Sequence, residues 1–157
     1  MQDKVYLETT IVSYLAGRPS AQPLARLHQQ LTHEWWQKRR SHFDLFISEV
    51  VLEEAARGDP EPARLRLEVV NALPILRVND QARELARSFL KSAALPSKAA
   101  ADALHIAVAT VNAMDFLLTW NCTHIANGII LRKIANLCRE MNLEPPIVLT
   151  PEELMEG

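Results

Sequence analysis

Residues Pro96–Asn121 read PSKAAADALHIAVATVNAMDFLLTWN. An alanine-rich helical stretch gives way to the apolar run Phe116-Leu117-Leu118-Thr119, which closes on the polar turn Trp120-Asn121. A helix followed by a short, wholly apolar strand is the pattern of a parallel sheet covered on both faces. Ser97 is the expected N-cap of the helix. Asp102 is the helix's one acid. Ala99, Ile106 and Ala109, at i−3, i+4 and i+7, place it on a face of small apolar residues.

The same alternation extends outward in both directions. Val5-Tyr6-Leu7 is a buried strand that leads through Glu8-Thr9-Thr10 into a helix carrying Ile11, Val12 and Leu15. After a break at Gly17-Arg18-Pro19-Ser20, Leu24–Arg40 has helical periodicity in Leu24, Leu27, Leu31 and Trp35, and Lys38-Arg39-Arg40 suits its C-terminal dipole. His33-Glu34 opens like a zinc-protease helix, but Gln37 stands where HExxH needs its second histidine. Phe43–Ile47 is a second strand, and Ser48 caps a helix that stops at Gly58-Asp59-Pro60. A helix over Pro62–Leu73, a strand over Pro74–Val78 and a helix capped by Asn79 or Asp80 follow. Beyond the central helix come a helix over Asn127–Met141, a strand over Ile147–Leu149 and a turn at Thr150-Pro151-Glu152-Glu153. The expected architecture is a three-layer α/β sandwich. Its central, mostly parallel sheet has about four to five strands, and residues 1–157 form a single domain.

Composition narrows the function classes. The chain is 48% hydrophobic and 23% charged, an ordinary globular balance with no apolar run long enough to span a bilayer. The start, MQDKVYLETT, lacks a basic segment followed by an apolar one, so no secretory signal is expected and the cytoplasm is the expected compartment. Cys122 and Cys138 form no CxxC, which argues against a structural zinc site. A net charge of −2 supplies no global field for nucleic acid, so phosphate contacts must be local.

Three acids do not fit their surroundings. In open α/β sheets ligands bind outside the carboxyl ends of the strands. Glu8, the Ser48–Glu54 segment and Thr119–Asn121 all fall at such ends. Glu54 follows Val50 by four residues and Val51 by three, so it shares their inward side, whereas Glu49 and Glu53 form a polar stripe. A buried carboxylate survives only with a partner, which is either a lysine or arginine or a divalent cation shared with other acids. Hard oxygen ligands without histidine or cysteine suit Mg²⁺ or Mn²⁺. Asn121 offers a neutral oxygen to a metal-bound water or to a turn. His124 either touches a substrate phosphate or sits in a solvated turn. Thr9 and Thr10 either orient Glu8 or a phosphate, or cap the following helix. His105 reads as structural.

The chain resembles the PIN-domain family, specifically the VapC-like toxins of type II toxin–antitoxin pairs. The resemblance spans nearly the full length. It rests on VYLETT (Val5–Thr10), SEVVLEE (Ser48–Glu54), ADALHIA (Ala101–Ala107) and LTWN (Leu118–Asn121). It implies a metal-dependent endoribonuclease with an acidic quartet around one or two Mg²⁺ or Mn²⁺ ions, an RNA substrate, a cognate antitoxin and a homodimer. Carried over residue by residue, Glu8, Glu54, Asp102 and Asn121 form the catalytic set, with Glu8, Glu54 and Asp102 on the metal. Thr9, Thr119 and His124 are the expected substrate contacts. Between Glu53 and Glu54, the helical-face argument selects Glu54.

Two departures stand out. Glu8 replaces the usual aspartate and is one methylene longer. Asn121 replaces a frequent aspartate and removes a charge. A catalytically weak or inactive module acting through a protein partner is the alternative these departures favour. A phosphatase would need a nucleophile motif near strand one, which is absent.

Overall fold

The computed structural model describes residues 1–156. Five strands form one parallel sheet: β1 (Asp3–Leu7), β2 (Phe43–Ser48), β3 (Ile75–Leu76), β4 (Phe116–Leu118) and β5 (Ile147–Leu149). Their spatial order is β3-β2-β1-β4-β5, so β1 lies at the centre and the winding reverses between β1 and β4. Register pairs Tyr6 with Phe46 on one side and with Leu117 on the other.

Seven α-helices accompany the sheet: α1 (Thr9–Ala16), α2 (Pro23–Arg39), α3 (Glu49–Ala55), α4 (Pro60–Val69), α5 (Asp80–Lys91), α6 (Ala100–Val111) and α7 (Gly128–Glu140). Helix α1 packs on α2, α3 and α4, while α5 packs on α6. Val5, Tyr6, Leu7, Ile47, Leu117 and Leu118 are wholly buried in the sheet, which explains why these strands are apolar without alternation. The small face of α6, with Ala103, Ala107 and Ala109 fully buried, lets the helix approach its neighbours closely.

Local chemistry explains most boundaries. Ser48 caps α3 by accepting from Val50 N–H, and Asn79 caps α5 by accepting from Ala82 N–H. Helix α6 ends where Ala113 adopts a left-handed φ of 54°, and Met114 N–H bonds back to Ala109 O at 3.0 Å. That turn feeds β4 into the sheet. Ser97 does not cap the central helix. It opens a 3-10 turn (Ser97–Ala99) behind Pro96, and α6 begins only at Ala100 with no side-chain cap. The third strand shrinks to the edge pair Ile75–Leu76, and α4 starts two residues earlier than expected because Pro60 supplies the first helical position. No helix among the described residues is long and apolar enough to cross a membrane.

Candidate metal and phosphodiester site

The site lies where the winding reverses, at the carboxyl ends of β1 and β4. Glu8 is the first residue after β1. Its N–H donates to Leu118 O at 3.1 Å, which fixes it against the end of β4. The residue is only 4% exposed. Neither Thr9 nor Thr10 caps α1. Glu8 holds the N-cap position, and both threonine hydroxyls are committed to carboxylates. Thr10 Oγ1 donates to Glu8 Oε1 at 2.5 Å and Thr119 Oγ1 donates to the same oxygen at 2.6 Å.

Glu54, in the last turn of α3, is held in a similar way. Thr9 Oγ1 donates to Glu54 Oε1 at 2.5 Å, and His105 Nε2 lies 2.6 Å from that oxygen. In both glutamates one oxygen is doubly anchored, and no hydrogen bond from the described residues reaches the other. Glu53 is exposed, so the helical-face reading of Glu54 as the inward acid agrees with its position. Burial pushes the Glu54 carboxyl up, but the hydrogen bonds from His105 and the Thr9 hydroxyl and the nearby Arg57 charge outweigh it and hold the group below its ordinary range.

Behind Glu54 runs a buried chain. His105 Nδ1 lies 2.6 Å from Tyr6 Oη, which lies 2.8 Å from Ser48 Oγ, which accepts from Val50 N–H at 3.1 Å. Burial raises the Tyr6 hydroxyl far above its ordinary value. The Ser48 contact counters this in part, and the charges of Glu8 and Glu54 add to it, so Tyr6 stays protonated.

Asp102 belongs to a second network. Asn121 Nδ2 donates to Asp102 Oδ1 at 3.0 Å, and His124 Nδ1 sits 3.0 Å from Oδ2. Asn121 Oδ1 accepts from His124 N–H at 3.0 Å, which closes the ring. The amide at 121 therefore pairs with Asp102, where a second carboxylate would repel it. Asp115 lies at the far end of β4 and accepts from Lys4 N–H, so it does not substitute for Asn121. Thr119 joins the two networks, since its hydroxyl donates to Glu8 and accepts from Asn121 N–H at 2.9 Å. Trp120 braces the junction. Its N–H donates to Thr10 Oγ1, its indole N–H donates to Thr32 Oγ1 at 2.7 Å, and its ring stacks on His28 at 3.9 Å.

Among the described residues, Glu8, Glu54 and His105 each offer a ligand atom within 4.8 Å of the others, a group able to hold a cation. No lysine or arginine of the described residues ion-pairs with Glu8, Glu54 or Asp102. His105 is the member that sequence reasoning set aside as structural. Its spacing of three from Asp102 on one helix was the available signal, since i and i+3 share a face.

No family model matches the sequence, and neither does any curated protein. Solved structures do match in fold. One is VapC20 of Mycobacterium tuberculosis, described as a sarcin–ricin loop cleaving toxin, with TM-score 0.59, 14% identity, and coverage of 82% of this chain and 94% of that one. Another is VapBC2 from Rickettsia felis bound to a DNA fragment from their promoter, with TM-score 0.59, 16% identity, and coverage of 94% and 98%. At these identities the likeness establishes a shared PIN-like fold.

Proposed function

We propose that this PIN-like chain is a metal-dependent endoribonuclease and the toxin of a toxin–antitoxin pair, acting as a single domain over residues 1–157. The observation that carries the reading is the pair Glu8 and Glu54. Both sit at the ligand-binding edge of the sheet, each with one oxygen doubly anchored and the other reached by no hydrogen bond from the described residues. Carboxylates gathered with no lysine or arginine ion-paired to them among the described residues call for another cation. Their hard oxygens fit Mg²⁺ or Mn²⁺. Glu8, Glu54 and Asp102 would hold it, each Asp102 oxygen retaining a second lone pair. Such an ion, when bound, neutralises phosphate charge and makes water a nucleophile at neutral pH.

The chain's own groups do the positioning. Thr10 and Thr119 fix Glu8, Thr9 and His105 fix Glu54, and Asn121 fixes Asp102. His124, tied to Asp102 through Nδ1, donates from Nε2 to a phosphate oxygen of the RNA when the ring carries both protons. Thr9 and Thr119 meet substrate only through the carboxylates they hold. The likeness to a toxin that cleaves the sarcin–ricin loop and to a VapBC2 assembly supports RNA as substrate and a protein antitoxin as partner. A homodimer is the working form in this proposal.

Purified protein with Mg²⁺ or Mn²⁺ is expected to cleave RNA to 5′-phosphate and 3′-hydroxyl ends. Asp102→Asn should lower the rate about a hundredfold or more. Equal cleavage by wild type and variant would trace the activity to a contaminant and end this reading. One observation favours a second reading, a binding module without catalysis: both Asp102 oxygens are already engaged, by Asn121 and His124. Calorimetry separates the two, since the module reading requires no Mn²⁺ binding that depends on Glu8 and Asp102.

A further inference from the structure

The cluster of Glu8, Glu54 and His105 contains two kinds of donor. Carboxylate oxygens suit Mg²⁺ and Mn²⁺, while an imidazole nitrogen draws Zn²⁺, Ni²⁺ and Cu²⁺. Whether His105 can join a bound ion depends on which ring nitrogen carries the proton, because a protonated nitrogen has no lone pair to give.

The buried hydrogen bonds answer that. Ser48, Tyr6 and His105 are all 0% exposed, so no solvent partner can stand in for a missing one. Ser48 Oγ already accepts from Val50 N–H, and its own proton has Tyr6 Oη, at 2.8 Å, as acceptor. The Tyr6 proton is then left for His105 Nδ1 at 2.6 Å. Nδ1 accepts, so the ring proton sits on Nε2 and donates to Glu54 Oε1 at 2.6 Å. The opposite tautomer sets the Nε2 lone pair against a carboxylate oxygen. It also reverses the Tyr6 bond, which strands the Ser48 proton. A doubly protonated ring strands that proton as well. Only the Nε2–H form leaves every group paired.

We infer that the buried Ser48–Tyr6 hydroxyl pair locks His105 as its Nε2–H tautomer, keeping the imidazole off the metal and making the cluster an oxygen-only site that selects Mg²⁺ or Mn²⁺ against Zn²⁺. This rests on the cluster being the metal centre proposed above. Tyr6 and His105 are positioning residues here. They act through Glu54, whose Oε1 they occupy while leaving Oε2 for the cation. With phenylalanine at position 6, Ser48 has lost its acceptor whichever tautomer forms and Nδ1 no longer faces a donor, so nothing holds the proton off Nδ1 and Zn²⁺ can recruit Nε2.

Two measurements on the full chain test this. Two-bond ¹H–¹⁵N correlation of histidine rings, with His105 assigned by its absence from His105→Gln, should show the Nε2–H tautomer in the metal-free wild type and after Zn²⁺ addition. In Tyr6→Phe with Zn²⁺, Nε2 should lose its proton. Calorimetric titration with Mn²⁺ and with Zn²⁺ should give a Zn²⁺-to-Mn²⁺ affinity ratio about tenfold higher in Tyr6→Phe than in wild type. The ratio should return to the wild-type value in Tyr6→Phe/His105→Gln. A wild-type His105 found as Nδ1–H or doubly protonated overturns the inference, and so does an unchanged ratio in a folded Tyr6→Phe. If Tyr6→Phe does not fold, the wild-type tautomer before and after Zn²⁺ still decides. Wild type that binds Mn²⁺ but fails these tests refutes the inference alone. Wild type that binds no Mn²⁺ refutes the metal-centre reading and the inference with it.

Discussion

Replacing Thr119 by valine removes one hydroxyl and almost no volume. That hydroxyl donates to the buried Glu8 carboxylate at 2.6 Å and accepts from Asn121 N–H at 2.9 Å. Losing a hydrogen bond to an ionised acceptor costs about 1.5–3 kcal/mol. Asn121 is half-buried, so water can partly re-pair its N–H, and Thr10 still holds Glu8. The net expectation is a loss of about 2–3 kcal/mol. For a chain of this length that lowers Tm by roughly 4–12 °C. Urea unfolding at neutral pH in the presence of a chelator should show a lower midpoint with an unchanged slope. Because the effect runs through the Glu8 charge, the same substitution in a Glu8→Gln background should cost about 1 kcal/mol less. Thr119→Ser, which keeps the hydroxyl, should be milder than valine. A loss below about 0.5 kcal/mol would refute the reasoning, as would an equal loss in both backgrounds.

Glu54 gives a pH signature. Its folded-state carboxyl is held below the ordinary value of 4.5, so its ionised form contributes stability that is full above that value and is lost as pH falls through the folded value. The stability of wild type relative to Glu54→Gln, measured by denaturant titration without metal, should therefore decline as pH drops below about 4.5; a flat difference would count against it. The two thiols should separate by reactivity at pH 8. Cys122 is exposed, whereas burial, with Glu144 adding, pushes the buried Cys138 up to about 11. A disulfide reagent should modify about one thiol per chain rapidly and reach the second only on unfolding; two fast thiols would contradict this.

Much of this architecture is written in local pattern. Val5–Leu7 and Phe116–Leu118 are wholly apolar because both faces of the sheet are covered, and that alone places Glu8 and Thr119 at strand ends. Ser48 and Asn79 are caps in the structure as in the sequence. Local pattern decides least where a polar side chain has two possible partners. Thr9 and Thr10 carry cap-type hydroxyls, yet carboxylates brought in by the fold are stronger acceptors than a helix end. Ser97 follows a proline, and the 3-10 turn it enters makes the cap position unusable. His105 looked structural because its partners, Tyr6 and Glu54, lie 99 and 51 residues away in the chain. The sequence leaves Asn121 between a metal-bound water and a turn; in the fold its oxygen accepts from His124 N–H in the turn and its amide donates to Asp102, a partnership that spacing cannot reveal.

The central place of β1 bears on how this site can move. Glu8 hangs from a strand paired on both sides, and its amide is bonded to β4. Amides in such a position exchange with solvent only when the whole molecule opens. The Glu8 end of the site thus has the lifetime of the native state itself, and fraying of a loop does not loosen it. Asn121 and His124 stand instead on the irregular segment between β4 and α7, outside the sheet ladder and held by local turn bonds and by Asp102. Any adjustment at the site is therefore expected in that segment before it is expected in β1.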